Sequence, residues 1–73
     1  MAAIRVNSEM AGSIWKLLVA VGDQVTEGAD LLLLESMKME IPVAAPTAGR
    51  VSEIRVEEGE TVSEGQLLLL LAR

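Results

Sequence analysis

A six-residue segment near the middle of the chain, Glu35-Ser36-Met37-Lys38-Met39-Glu40, contains the side chains best suited to chemistry. The amine of Lys38 is a nucleophile that can form an amide with an activated acyl group. Ser36 has no histidine to activate its hydroxyl, because the sequence contains none, so a structural role is favoured for it. Glu35 and Glu40 could form a carboxylate pair for acid–base chemistry. Recognition by a partner, or simple solvation of the segment, is the favoured interpretation of these two glutamates.

The composition excludes several other kinds of site. The 73 residues include no cysteine, histidine or tyrosine, which removes disulfides, thiolate chemistry, the usual zinc sites and the commonest general base. We therefore expect no metal site. The formal net charge of −5 argues against nucleic acid and against an anionic membrane surface as partners.

The apolar segments are too short to cross or enter a membrane. Residues 1–5 have no apolar core of the kind that a signal peptide needs. The longest apolar run, Leu67–Ala72, is far shorter than a membrane span. The chain is therefore predicted to be one small cytoplasmic domain over residues 1–73, either a stand-alone module or one excised from a longer protein.

Two near-copies of one sequence unit make up most of the chain. Residues 10–36 align with residues 47–73 at a constant offset of 37 without a gap, which divides the domain into halves of about 1–37 and 38–73. The Met37-Lys38-Met39 segment has no second copy, because its equivalent would fall past the C-terminus. The repeat therefore predicts a scaffold, and the unrepeated lysine predicts the functional group. Eleven positions are identical: Ala11/Ala48, Gly12/Gly49, Val19/Val56, Gly22/Gly59, Val25/Val62, Glu27/Glu64, Gly28/Gly65 and Leu31–Leu34 against Leu68–Leu71.

The sequence predicts an all-β fold. Short runs rich in valine, isoleucine and leucine are separated by glycine, proline and acidic residues. Eight such strands, four per repeat, suit a flattened β-barrel or sandwich of two four-stranded antiparallel sheets with internal pseudo-two-fold symmetry, which hides most sheet edges. The leucine runs are too short for stable helices, and they do not alternate, so they leave open which leucines face inward. The predicted strands are Ala3–Asn7, Ser13–Val19, a short one at Val25, Leu31–Ser36, Met39–Ala44, Arg50–Val56, a short one at Val62 and Leu67–Ala72.

The repeat also predicts where particular residues lie. If the two-fold axis crosses the long direction, the Met37-Lys38 turn and the chain ends lie at opposite ends, which makes Lys38 an exposed tip. Gly22 and Gly59 are expected in equivalent turns that favour glycine. Trp15 aligns with Ser52, so the fold does not demand an aromatic there; packing is favoured over a partner contact. The acidic residues of the second repeat, either a docking face or, as is favoured, a solvated surface, are Glu57, Glu58, Glu60 and Glu64.

With these residues in view, the chain resembles the biotinyl/lipoyl attachment domains, carriers whose hairpin lysine is joined to a cofactor by an amide. Met37-Lys38-Met39 is similar to the biotin-accepting motif, whereas lipoyl domains usually have an acidic residue before the lysine. Ser36 departs from the commoner alanine, which we interpret as tolerated variation. The absence of an insertion within residues 15–22 makes the chain more similar to short attachment proteins than to long, thumb-bearing carriers. The other matching segments are Met10-Ala11-Gly12, Val21-Gly22-Asp23-Gln24-Val25, Glu27-Gly28, Ala48-Gly49 and Glu58-Gly59-Glu60.

The resemblance implies a non-catalytic biotin carboxyl carrier with biotin on Lys38. Its partners would be a biotin protein ligase, a biotin carboxylase and a carboxyltransferase of an acyl-CoA or keto-acid carboxylase, among them the acetyl-CoA carboxylase of fatty acid biosynthesis. The ligase and these partners would recognise the side chains around the lysine, namely Glu35, Met37, Met39 and Glu40. Two alternatives stay open: a lipoyl carrier with lipoate on Lys38, and an unmodified small barrel that acts as an interaction module.

Overall fold

The computed structural model describes residues 3–73, which form eight β-strands and no helix. The predicted number of strands is confirmed, and the predicted boundaries differ by at most two residues at either end of a longer strand. Residues 18–19 and 55–56 are not strand residues but lead into turns. The strands are β1 Ala3–Asn7, β2 Gly12–Leu17, β3 Gln24–Val25, β4 Asp30–Ser36, β5 Met39–Ala44, β6 Gly49–Ile54, β7 Thr61–Val62 and β8 Leu67–Ala72.

Two antiparallel sheets of four strands pack face to face. One sheet has the strand order β1-β8-β6-β3 and the other has the order β5-β4-β2-β7. Within residues 3–73 no strand pairs across from one sheet to the other. The sandwich form of the prediction is therefore confirmed, and closure into a barrel is not observed, because the edge strands of the two sheets are not hydrogen-bonded to each other.

The sequence repeat is reproduced in the topology. Adding 37 to the residue numbers of β2 and β3 gives those of β6 and β7, and β4 corresponds to β8 in the same way. Residues 40–44 of β5 correspond to β1. Each sheet thus contains one copy of the same four-strand pattern, assembled from both halves of the chain. Because neither half forms a sheet alone, the two repeats fold as one unit.

The core consists of aliphatic side chains from both sheets. β-bulges explain why the leucine runs do not alternate. The β4–β5 register shifts between Asp30 and Leu32, and both Leu31 and Leu32 are fully buried. A bulge places two residues opposite one and disrupts the period of two. The buried hydrophobic residues are Val6, Ile14, Val25, Leu31, Leu32, Leu34, Ala45, Val51, Val56, Val62, Leu68, Leu69 and Leu71.

The Met37-Lys38 turn lies at the end of the molecule away from the termini. The domain is elongated, with extents of 35 × 18 × 17 Å. Ala3 pairs with Ala72 across β1 and β8. β1 runs away from that pair, and the segment after it reaches Ala11, whose carbonyl accepts a hydrogen bond from Ser36. The loop between β4 and β5 is therefore far from the point where the chain enters and leaves.

Replacing Gly22 or Gly59 with valine is expected to destabilise the domain by similar amounts, about 1–3 kcal/mol each. The two glycines have φ of 99° and 90°, as predicted, and a Cβ at either position would meet nothing within 4 Å. Backbone strain alone therefore sets the cost. Chemical denaturation of the two variants measures it, and costs that differ by more than about 1 kcal/mol would contradict the equivalence of the two turns.

Candidate functional site

A two-residue turn, Met37-Lys38, joins β4 to β5. Ser36 and Met39 are paired across the hairpin, and the two turn residues have φ of 53° and 64°. Positive φ at both central positions is the signature of a type I′ turn, which normally selects asparagine or glycine. Met37 and Lys38 are the only non-glycine residues with positive φ in residues 3–73. Positive φ is unfavourable for residues that have a side chain, so its occurrence at Met37 and Lys38 points to a function for this turn.

The turn presents its side chains to solvent. Met37 is 91% exposed and Met39 is 63% exposed, and Lys38 is exposed between them. Across residues 3–73 the single ion pair joins Arg55 to Glu53, so the Lys38 amine has no carboxylate partner in the described chain. An extended, unpaired amine on a narrow tip can enter the active site of another protein without any rearrangement of the domain.

Hydrogen bonds fix the hairpin to the loop that follows β1. The Ser36 hydroxyl donates to the Ala11 carbonyl at 3.0 Å. That loop is itself held in place, because the buried Ser8 hydroxyl donates to the Met10 carbonyl. In addition, the Ser8 N–H donates to Gln66 O at 2.8 Å. Ser36 therefore has the structural role that the sequence favoured, although its partner could not be identified from the sequence.

Glu35 and Glu40 lie directly opposite each other on β4 and β5. Both are exposed, and Ser13 of β2 is the other neighbour of Glu35. Like charges placed directly opposite on neighbouring strands are destabilising. The scaffold gains nothing from this pair, which is consistent with recognition by a partner. The structure thus places on one hairpin the predicted attachment residue and the four predicted recognition residues, namely Lys38, Glu35, Met37, Met39 and Glu40.

The remaining acidic residues and the single tryptophan lie elsewhere. Glu58 accepts a hydrogen bond from the Leu17 N–H at 2.9 Å, and Glu60 accepts one from the Glu57 N–H at 3.1 Å. Glu64 is exposed. Glu57 and Glu58 are likewise exposed and Glu60 is partly buried, and the carboxylates of Glu58 and Glu60 also fix backbone. The packing interpretation of Trp15 is not supported, because this side chain is 48% exposed and lies outside the core cluster.

The rest of residues 3–73 offers no cluster of side chains that would hold a metal ion. No group of three or more acidic, histidine or cysteine side chains is close enough to hold a metal ion in this part of the chain. A groove of about 410 Å³ between β1 and β5 has Arg5 and Glu9 as its charged lining residues. No helix of the described chain is long and apolar enough to cross a membrane. The Lys38 hairpin is therefore the candidate site.

Replacing Met37 or Met39 with alanine is expected to leave stability within about 1 kcal/mol of wild type, because both side chains are exposed. If a ligase modifies Lys38, as the sequence predicts, the labelling rate should fall more clearly, since the removed thioethers are adaptable, exposed surface beside the amine. Thermal unfolding and the initial labelling rate measure the two effects. Val51→Ala provides the control, because Val51 is fully buried and pairs with Leu71 in the sheet that does not contain the hairpin, so its truncation should destabilise the domain without changing the tip. A loss of several kcal/mol with normal labelling in a Met37 or Met39 variant would refute this interpretation.

The chain belongs to the biotin/lipoyl family: the family model described as "Biotin-requiring enzyme" matches residues 4–71. That description makes biotin the cofactor of this class of domain. Among curated proteins, the chain is 48% identical over 50 residues to the biotin/lipoyl attachment protein of Bacillus subtilis, which covers 68% of each chain. It is 49% identical over 53 residues to the biotin carboxyl carrier protein of Streptococcus mutans, covering 73% of this chain and 41% of that one.

Solved structures confirm the fold. The urea carboxylase of Kluyveromyces lactis matches with a TM-score of 0.93 and 35% identity over 99% of this chain and 6% of that one. A single-chain, multi-domain long-chain acyl-CoA carboxylase matches with a TM-score of 0.92 and 32% identity, over 97% of this chain and 7% of its own. In both enzymes this sandwich is therefore one small part of a much longer polypeptide.

Proposed function

We propose that the protein is a biotin carboxyl carrier, with biotin joined by an amide to the Nζ atom of Lys38. The observation that carries the proposal is the exposed lysine on a turn with two positive φ values, flanked by exposed methionines. A lysine held for the stability of the fold would instead be placed on a strand or paired with an acid. Membership of the biotin-requiring family supports the same group at this position.

The residues of the tip fit the covalent attachment of a small carboxylic acid. A biotin protein ligase must bring the lysine amine to an activated acyl carbon, where Nζ attacks, the C–N bond forms and the activating group leaves. Lys38 meets no steric obstacle on the exposed turn. Met37 and Met39 offer polarisable, adaptable surface to the ligase, and the opposed Glu35 and Glu40 supply negative charge on one flank.

Biotin, when bound, supplies a ureido nitrogen that can carry a carboxylate group between two active sites. The domain itself contributes position. The Ser36–Ala11 hydrogen bond fixes the hairpin to the loop that follows β1. The tip is also far from the termini, which leaves room around it for large partners. A tethered group visits each active site at high effective concentration without dissociating. We therefore assign no acid, base or nucleophile of the reaction to this chain.

The partners in this proposal are a biotin protein ligase, a biotin carboxylase and a carboxyltransferase. Relatives named urea carboxylase and long-chain acyl-CoA carboxylase support the class of reaction. We propose an acyl-CoA or keto-acid carboxylase, including acetyl-CoA carboxylase in fatty acid biosynthesis, as the enzyme served, and the cytoplasm as its location. Neighbouring genes and carboxylation assays with the purified components test the choice of substrate.

Lipoate is the second candidate cofactor, and the relative named biotin/lipoyl attachment protein supports it. Both acids would form the same amide with Lys38. The intact mass of the protein from its native host distinguishes the cofactors, because biotin, lipoate and no modification give three different masses. A mass that corresponds to lipoate or to the bare chain would refute the biotin proposal.

Replacing Met37 with aspartate is expected to slow biotin labelling by about tenfold or more, because a pocket that contacts a thioether must desolvate a carboxylate instead. The change also moves the turn toward the lipoyl pattern. Initial rates with a biotin protein ligase and with a lipoate ligase measure the shift in cofactor choice. Met37→Leu is the control, since it keeps an apolar side chain of similar volume. Equal biotin labelling of wild type and Met37→Asp would show that the ligase recognises only the shape of the hairpin.

A further inference from the structure

The only aromatic side chain in the protein, Trp15, lies on β2 of the sheet that bears the lysine hairpin. Trp15 is the extra residue of a β-bulge, since Ile14 pairs with Leu34 and Lys16 pairs with the adjacent Leu33. Ser52 occupies the corresponding bulge of β6, between Val51 and Glu53. The fold therefore forms this bulge without an aromatic residue. A half-exposed tryptophan that the scaffold does not require points to contact with another molecule.

An acidic turn, residues 57–60, forms hydrogen bonds to the backbone of β2 before and after Trp15. On one side, the Ile14 N–H donates to Glu60 O at 2.8 Å, and the Gly59 N–H donates to Ile14 O at 2.7 Å. On the other side, the Leu17 N–H donates to the Glu58 carboxylate at 2.9 Å. These bonds place carboxylate-bearing residues beside the tryptophan.

The equivalent turn of the first repeat, residues 20–23, closes over the bulge at Ser52. It has Ala20 and Val21 where the acidic turn has Glu57 and Glu58. The indole thus occurs together with the carboxylates of Glu57 and Glu58 on one side of the pseudo-two-fold axis only. The other side keeps a single carboxylate, that of Asp23, which corresponds to Glu60 and accepts the equivalent backbone hydrogen bond. The symmetric scaffold accounts for neither difference, so the pair forms one asymmetric surface feature.

We propose that Trp15 and the acidic turn form a docking surface for a basic side chain, an arginine or a lysine, on the biotin carboxylase that acts on this carrier. A guanidinium or ammonium group stacks on an indole face by a cation–π interaction. Neighbouring carboxylates complement its charge and repel acidic surfaces. This inference rests on the proposed function for the identity of the partner.

The surface is continuous with the lysine hairpin. Lys16 pairs with Leu33, which pairs with Pro42, and Ser13 pairs with Glu35, which pairs with Glu40. These pairs of neighbouring residues connect the part of β2 that contains Trp15 to the base of the turn within one sheet. A carboxylase receives a group held farther out, and its contacts can extend along the sheet to Trp15.

The test is a titration of the biotinylated protein with the purified biotin carboxylase of the same organism. Trp15 is the sole tryptophan of the carrier, so its emission, obtained after subtraction of the emission of the carboxylase alone, should shift to shorter wavelength on binding as the indole is buried. Trp15→Ser, which installs the residue of the other repeat, should raise Kd about tenfold or more by surface plasmon resonance. Glu57→Ala, likewise the residue of the other repeat, should raise it about threefold, and its effect should diminish at high salt. Glu27→Ala, an equal change of net charge outside the surface, should leave Kd unchanged.

Several results would overturn the docking surface. They are an unchanged Kd for Trp15→Ser, an equal loss for Glu57→Ala and Glu27→Ala, or a loss seen with the carboxyltransferase instead. A comparable loss of ligase labelling in Trp15→Ser would assign the surface to the ligase. Circular dichroism checks that each variant is folded. Absence of biotin from the wild-type protein would instead refute the proposed function, and the Kd of the unmodified domain would then test the surface by itself.

Discussion

Replacing Lys38 with arginine is expected to abolish covalent biotin labelling. Arginine keeps the positive charge and most of the side-chain length, but its guanidinium stays protonated in proteins and is not an acyl acceptor. The turn conformation should persist, because neither residue type is better suited to positive φ than the other. Streptavidin blotting and intact mass after incubation with ligase, ATP and biotin measure the loss, which should reach the detection limit.

The chain offers a matched control for this experiment, since Lys16 is its only other lysine. Lys16 is also exposed, but it lies within β2 and is held by pairing with Leu33. Lys16→Arg should therefore label at the wild-type rate. Labelling that survives Lys38→Arg, or that disappears in Lys16→Arg, would show that the modified amine is not the one on the hairpin.

Replacing Gly12 or Gly49 with alanine is expected to destabilise the domain by roughly 3 kcal/mol in each case. A Cβ at position 12 would lie 2.5 Å from the backbone oxygen of Glu35, and one at position 49 would lie 2.7 Å from that of Ala72. Both obstacles are backbone, so a side-chain rotation cannot relieve them. Guanidinium denaturation measures the cost. Gly28→Ala is the comparison for backbone strain without a clash, because Gly28 has φ of 87° and a Cβ there meets nothing within 4 Å.

The two variants should differ in labelling although they are similar in stability. The Cβ added at position 12 would push on Glu35, which lies two positions before the turn. The Cβ added at position 49 would push on Ala72, at the other end of the molecule. Folded Gly12→Ala protein should label more slowly than folded Gly49→Ala protein. Equal labelling rates would show that the geometry of the hairpin tolerates a displaced β4. A cost below about 1 kcal/mol in either variant would contradict the steric argument itself.

Strand content and sheet architecture could be predicted because the apolar runs and the glycine turns occur twice, at a constant offset of 37 residues. A glycine pair in equivalent places, such as Gly22 and Gly59, indicates a turn more strongly than either glycine alone. Details that depend on cross-strand register could not be predicted. Leu31 and Leu32 are both buried because of a bulge, and nothing local in four consecutive leucines encodes its position. Whether the two predicted sheets close into a barrel likewise depends on how their edge strands meet in space, and here they are not hydrogen-bonded to each other.

The candidate lysine could be singled out from the sequence because the Met37-Lys38-Met39 segment has no second copy in the repeat. Its positive φ could not, since Met-Lys has no preference for a type I′ turn. That conformation is imposed by the register in which Ser36 and Met39 pair. The hydrogen bond from Ser36 to Ala11 was also beyond the sequence, because it joins residues 25 apart in the chain. Exposure of Trp15 required knowledge of which side of β2 the bulge presents to solvent.

The pairing of Ala3 with Ala72 has a consequence for how such a domain travels between proteins. Because the first and last strands are neighbours, the two ends of the domain lie close together. The whole domain can therefore be inserted into a surface loop of another protein with little distortion of the host. The acceptor side chain then projects from the free end whatever the host is. A module built in this way can be acquired by unrelated enzymes through one recombination event, without redesign of either partner's core.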